Sequence, residues 1–131
     1  MGIRESSYDL AEVAGAAPPL GSIRAWLRDL LVGFAAGIVA DIELLVTELV
    51  TNAYEHGAGC AALRMYLPAD RAVVRLEVDD RSPHLRLRPP EGADLSSPGG
   101  RGLVLIAAIS ADWGVDAEPG RKTVWAEIPL A

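Results

Sequence analysis

Between Asp41 and His56 the chain sets apolar residues at Ile42, Leu45, Val46, Leu49, Val50 and Ala53. Steps of three and four residues collect side chains on one side of an α-helix and on no other regular structure, so this run predicts a helix over about 39–56 with one buried stripe. Along one border of the stripe lie Glu48 and Asn52. At about 100° per residue, positions four apart are separated by only about 40° around the axis. A carboxylate and a carboxamide so close to a core are desolvated unless something partners them. The pair suits a hard cation and a polarised water, because the amide oxygen can ligate the metal and the carboxylate can accept a proton. Taken alone, it also reads as the solvated face of an amphipathic helix.

The rest of the chain narrows the choice. With 131 residues, half of them hydrophobic, there is enough chain for one domain with a continuous core, and residues 1–131 are read as a single domain. The net charge of −6 argues against a nucleic-acid partner, which wants clustered Lys and Arg. It leaves nucleotide binding open, since that needs a nest of backbone N–H groups and one or two cations. Cys60, the single cysteine, excludes an internal disulfide and suits a small hydrophobe at a strand start. The longest nearly apolar run, Leu30 to Ala40, falls well short of the ~20 residues of a membrane helix. The opening MGIRESSYDL has no hydrophobic segment of the kind a signal peptide needs. A cytoplasmic location with no membrane partner is expected.

Residues 7–13 are a weak strand. Pro18-Pro19 and Gly21 form a loop in which Ser22 is placed to cap a helix over about 22–32, with Ile23, Trp26, Leu27, Leu30 and Leu31 on one face. Gly33 and Gly37 punctuate the passage to the long helix, Asp41 complements its dipole, and Gly57 and Gly59 stop it. Strands are expected at 60–67 and 72–79; in the second, Ala72, Val74, Leu76 and Val78 alternate with Val73, Arg75, Glu77 and Asp79. From Arg81 to Gly100 the period is lost amid Pro83, Pro89, Pro90 and Pro98, and a loop that long is usually functional or disordered. A short helix over about 101–110 and a hairpin over 111–117 and 122–129, turned at Glu118-Pro-Gly120, complete the chain. The sum is α+β: a two-layer sandwich, its mixed and mostly antiparallel sheet carrying helices on one face.

Three further features carry chemistry. Asp80 ends an apolar strand, where a carboxylate can accept from an amino group such as that of adenine; it is also an ordinary turn residue ahead of Ser82-Pro83. Gly99-Gly100-Arg101-Gly102-Leu103 opens a helix, where free N–H groups and a fixed cation suit phosphate; a flexible hinge looks similar. Thr123, near the start of the last strand, can bond to a carboxylate or simply belong to a sheet.

In this order (Glu48-x-x-x-Asn52, Asp80, a Pro-rich loop, Gly100-Arg101-Gly102-Leu103, then Lys122-Thr-Val-Trp) the motifs resemble the GHKL ATPase family. The closest similarity is to the short anti-sigma-factor serine/threonine kinase-like group, over about Ser22 to Ile128. The resemblance implies the Bergerat-type ATP-binding fold with ATP and Mg2+ as cofactors. It casts Asn52 as metal ligand and Glu48 as the base acting on a water or hydroxyl. Asp80 becomes the adenine reader with Thr123 as its supporting hydroxyl, and Ser82 lies beside it. Gly100, Arg101, Gly102 and Leu103 become the phosphate loop, residues 83–99 the lid, and His56 a structural residue at the pocket edge.

Ser82 and His84 stand where the family's first glycine box has glycines. Neither His56 nor His84 lies in a phospho-accepting helical hairpin, so a complete histidine kinase is not expected. Two functions remain. One is phosphoryl transfer from ATP to a Ser or Thr of a protein antagonist. The other is a nucleotide-gated module that sequesters a sigma factor or another regulator without transfer, and a scaffold that has lost nucleotide binding stands behind both. Helix 22–32 and the apolar stretch Phe34 to Val39 offer a face for a second copy or a partner, and the resemblance allows a homodimer.

Overall fold

The computed structural model describes residues 3–9, 18–55, 60–68, 72–80, 106–119 and 121–130. Strand β1 (Ile3–Asp9) is followed by helices α1 (Leu20–Leu30) and α2 (Ala36–Glu55), strands β2 (Cys60–Pro68) and β3 (Val73–Asp80), a helical turn at 106–109, and strands β4 (Asp112–Glu118) and β5 (Arg121–Pro129). The strands form one open sheet in the order β1-β2-β3-β5-β4. Every pairing is antiparallel, so the parallel pair that a mixed sheet requires is absent among the described strands. None of the described helices is long and apolar enough to cross a membrane.

Burial follows the pleat. Leu63, Met65 and Leu67 of β2, Val74, Leu76 and Val78 of β3, and Val124, Ala126 and Ile128 of β5 point to one face and are buried. Against them pack Ile23, Leu27 and Leu31 from α1 and its C-cap, Ile106, and all six stripe residues of α2 from Ile42 to Ala53. At about 25 cal/mol per Å2 of apolar surface removed from water, this layer contact dominates the stability of the domain.

The boundaries depart from the sequence reading for physical reasons. Pro18 and Pro19 are already shaped for a helix entry: the Ile23 N–H donates to the Pro19 carbonyl at 3.1 Å. Helix α1 therefore starts at Leu20, Ser22 lies inside it, and Pro19 is the N-cap with no side-chain capping bond. Helix α2 starts at Ala36, which leaves its first turn without an acid and puts Asp41 one turn too late to serve the dipole. Strand β1 begins four residues before the expected 7–13. Its polar IRESSYD has little alternation, but it pairs along the edge of β2 from Ile3↔Pro68 to Asp9↔Ala62, and Tyr8 meets Trp26 edge to face at 5.6 Å. Gly33, with φ +92°, turns the chain from α1 into α2 in a conformation that side chains with a Cβ rarely adopt.

Leu44 and Leu45 test the packing with one side chain type on adjacent positions. Leu45 is fully buried and Leu44 is 39% exposed. Leu45→Ala should cost about 2–5 kcal/mol, and Leu44→Ala should stay within about 0.5 kcal/mol, as read by urea denaturation.

Candidate functional site

Glu48 and Asn52 sit on successive turns of α2, both half-buried beside the stripe that meets the sheet. Residues on either side of them, Leu49 and Ala53, are buried in the core, so the helix has no freedom to roll the pair away. Thr47, on the flank of the same turn, returns its hydroxyl to the Glu43 carbonyl at 2.8 Å. Arg28 of α1 reaches Glu43 at 2.9 Å and ties the two helices at the surface.

The pleat of β3 decides where Asp80 goes. Val74, Leu76 and Val78 face the helices, and Asp80 continues their series at 2% exposure. Its register partners are Cys60 on β2 and Lys122 on β5. Only residues 56–59 separate α2 from Cys60, a link that spans at most about 18 Å at about 3.6 Å per residue. The C-terminal turn of α2 and the Asp80 end of β3 are thus held at one end of the sandwich, on the helix side of the sheet.

Thr123 is not the support of Asp80. Its position on β5 faces the other way, and its hydroxyl donates to Asp79 Oδ1 at 2.8 Å. The residue beside Asp80 on the helix side is Lys122, whose Nζ lies 3.6 Å from Asp80 Oδ2, with both side chains nearly fully buried. That distance marks a Coulombic contact rather than a hydrogen bond. One residue of parity moved the assignment from one face to the other. The signal was present in the alternation of Lys122, Val124, Ala126 and Ile128 against Thr123, Trp125 and Glu127.

The outer face carries a charged lattice that the sequence reading passed over. Arg64 donates to both Asp79 oxygens, at 2.5 and 2.7 Å, and to Glu77 at 3.0 and 3.2 Å. Arg75 donates to Glu77 at 2.8 Å and to Glu127 at 3.4 Å, and lies over the Trp125 ring at 4.3 Å. Gly114, opposite Trp125 on β4, leaves room for the indole; a Cβ there would come within 2.7 Å of the ring. The hydrogen bonds it donates to Asp79, and then to Glu77, outweigh burial and hold the Arg64 guanidinium above its already high range. Burial alone would push the Glu77 carboxyl up, but the bonds from Arg75 and Arg64 win and hold it below the usual carboxylate range. A cavity of about 290 Å3 opens on this face between Tyr66, Pro68, Val73, Arg75, Glu77 and Glu127, on the far side of the sheet from Asp80.

Ser82, His84, the stretch from Pro83 to Gly99, Gly100, Arg101, Gly102, Leu103 and His56 lie outside the described residues. Among the described residues no three acidic, His or Cys side chains are grouped to hold a metal by themselves. The Asn52 amide oxygen has the chemistry of a magnesium ligand, and the Glu48 carboxylate one turn before it that of a proton acceptor. Magnesium commonly takes few protein oxygens when phosphates and waters fill its other positions.

Compared with known proteins, residues 14–128 match the model of the histidine kinase-like ATPase domain. No curated protein matches the sequence. Among solved structures, the RsbU and RsbW domains of Rv1364c from Mycobacterium tuberculosis superpose with a TM-score of 0.67 at 22% identity, over 99% of this chain and 33% of that one. The blue-light activated histidine kinase EL346 of Erythrobacter litoralis gives 0.60 at 21% identity, over 93% of this chain and 42% of that one. The histidine kinase AdeS of Acinetobacter baumannii gives 0.52 at 12% identity, over 99% and 69%. At such identities the likeness is one of fold, and the chain spans about a third of the length of the Mycobacterium protein.

Because the fold depresses the Glu77 carboxyl, its stabilising contribution is complete above the ordinary glutamate value of about 4.3 and is lost as pH falls through the lower folded value. Thermal melts from pH 7 to pH 2 should show a smaller acid-side loss of Tm for Glu77→Gln than for the wild type, with the difference opening below about pH 4.5.

Proposed function

The chain belongs to the histidine kinase-like ATPase domain family, and from that premise we propose that it is an ATP-binding regulatory protein that transfers the γ-phosphoryl group to a Ser or Thr of a protein antagonist. What supports this reading is the half-buried Glu48/Asn52 pair in the C-terminal half of α2 together with the buried Asp80 at the end of β3, which continues the helix-facing series of that strand. A base, a metal ligand and an acceptor for an amino group are the groups that a site for Mg·ATP has to supply, in positions fixed by packing.

In this reading Asp80 accepts a hydrogen bond from the adenine amino group, and the half-buried face of α2 lies under the phosphates. The Asn52 amide oxygen holds magnesium, which when bound offsets the negative charge of the phosphates. Glu48 takes the proton of the incoming Ser or Thr hydroxyl. The hydroxyl oxygen forms its bond to the γ-phosphorus as the bond from that phosphorus to the β,γ-bridging oxygen breaks, and ADP leaves with the electron pair. Gly100, Arg101, Gly102 and Leu103 are assigned to the phosphates from sequence, with Ser82 next to the base and residues 83–99 as the covering segment. The partner proposed is an anti-sigma-factor antagonist, a sigma factor, or both. The motif order supports this partner class, and the likeness in fold to a protein with an RsbW domain is in keeping with it.

Calorimetry with Mg·ATP should give saturable binding to the wild type. Asp80→Asn should abolish it, and Asn52→Ala should remove its dependence on magnesium. Glu48→Gln should bind ATP within about threefold of wild type and lose phosphoryl transfer by at least about 100-fold, the usual scale for a lost general base. Transfer that survives in Glu48→Gln removes the role given to Glu48. ATP binding that alters partner affinity with no phosphoprotein formed would instead identify a nucleotide-gated binding module.

A further inference from the structure

The inner-face partner of Asp80 is the ammonium of Lys122. These two residues are buried together at the strand ends, 3.6 Å apart, in a layer otherwise made of Val74, Leu76, Val78, Val124, Ala126 and Ile128. Placing a full charge of each sign in such a layer carries a large desolvation cost for each ion, and pairs of this kind are often replaceable by apolar residues with no loss of stability. Stability is therefore a poor reason for a lysine here. The hydroxyl that the sequence offers as the companion of Asp80, Thr123, is on the opposite face with Asp79.

The chemistry of a purine edge supplies a better reason. Adenine presents an amino donor flanked by ring nitrogens that only accept. A carboxylate alone reads the donor and ignores its neighbours. A carboxylate beside an ammonium presents an acceptor and a donor together, and an ammonium with three N–H groups can serve a carboxylate and another acceptor at once. We propose that Lys122 is the second base-reading residue of the pocket, donating to one of the ring nitrogens that flank the amino group read by Asp80. This inference rests on the ATP-binding reading above and adds to it a residue that fixes which purine edge is accepted.

The test scans the nucleotide before it touches the protein. Wild-type chain is titrated by calorimetry with ATP, 1-deaza-ATP, 7-deaza-ATP and GTP. One of the two deaza compounds should bind on the order of 10- to 100-fold more weakly than ATP, the scale of a lost hydrogen bond to a charged group, and the other should bind as ATP does. In Lys122→Met the ratio between ATP and the sensitive deaza compound should collapse to about one, whereas in Lys122→Arg a substantial part of it should persist. Thermal melts of each variant, and of Asp80→Asn/Lys122→Met, which removes both charges together, separate loss of fold from loss of recognition.

Equal binding of ATP and both deaza compounds by the wild type overturns the proposal while leaving the ATP-binding reading standing. So does a Lys122→Met variant that stays folded and keeps the wild-type ratio, which would make Lys122 a structural counter-charge. GTP binding as tight as ATP overturns the adenine assignment. Failure of the wild type to bind ATP at all removes both this inference and the reading beneath it.

Discussion

The packing of the α2 stripe against the inner face of β2, β3 and β5 is the contact on which the other features depend. Once Leu45, Leu49 and Ala53 are committed to the core, the rotation of α2 is fixed, and Glu48 and Asn52 can only lie on its border. The same contact fixes the parity of the sheet. With Val74, Leu76 and Val78 turned toward the helices, β3 must deliver Asp80 to the helix side and Asp79 to the outside. Slipping the strand by one residue would exchange the roles of every side chain along it, and the burial of nine apolar residues from three strands forbids that slip.

The outer face follows a different rule. No helix among the described residues packs on it, and its stabilisation is polar: Arg64, Arg75, Glu77, Asp79 and Glu127 form a connected set, with Arg75 over the Trp125 ring. A single exposed ion pair contributes little, but here each guanidinium serves two carboxylates and each pair is half-buried, conditions under which a network does more than its separate members. Cross-strand neighbours supply most of it, since Arg64↔Glu77 and Arg75↔Glu127 are register partners. The face is also where the sheet opens a cavity of about 290 Å3, so this hollow and the proposed nucleotide pocket lie on opposite sides of the same strands.

Much of this was legible in the residues. The six stripe positions of α2, the alternation of β3 and the final hairpin are periodic signals, and each is strong because burial punishes an exception to it. Asp80, as the last member of an alternating strand, was legible for the same reason. What escaped the sequence reading was set by neighbours rather than by period. Strand β1 owes its existence to the free edge of β2, and no alternation in IRESSYD announces it. Ser22 looks like a cap because its side chain is right, yet the backbone of Pro18 and Pro19 had already begun the helix. Thr123 has the hydroxyl to support a carboxylate, but its parity on β5 turns it to Asp79 on the outer face. The charged lattice was invisible because Arg64, Arg75 and Glu127 lie on three different strands, and only the register joins them.

Asp79 and Asp80 show how the two faces cooperate. They are consecutive and both buried, and each is bound on its own side of the sheet. Asp79 is held by Arg64 of β2 and Thr123 of β5, and Asp80 is paired with Lys122 of β5. The last residues of β3 are therefore fixed from both faces and by both neighbouring strands. Strand ends ordinarily fray, and a carboxylate on a fraying end would be a poor reader of a ligand edge, because recognition weakens steeply when a donor or acceptor drifts by a fraction of an ångström. The pins on Asp79 remove that freedom without occupying the helix side. On this argument the outer lattice, though it faces away from the proposed pocket, is the support that lets the inner carboxylate and its lysine hold a fixed pattern toward a nucleotide.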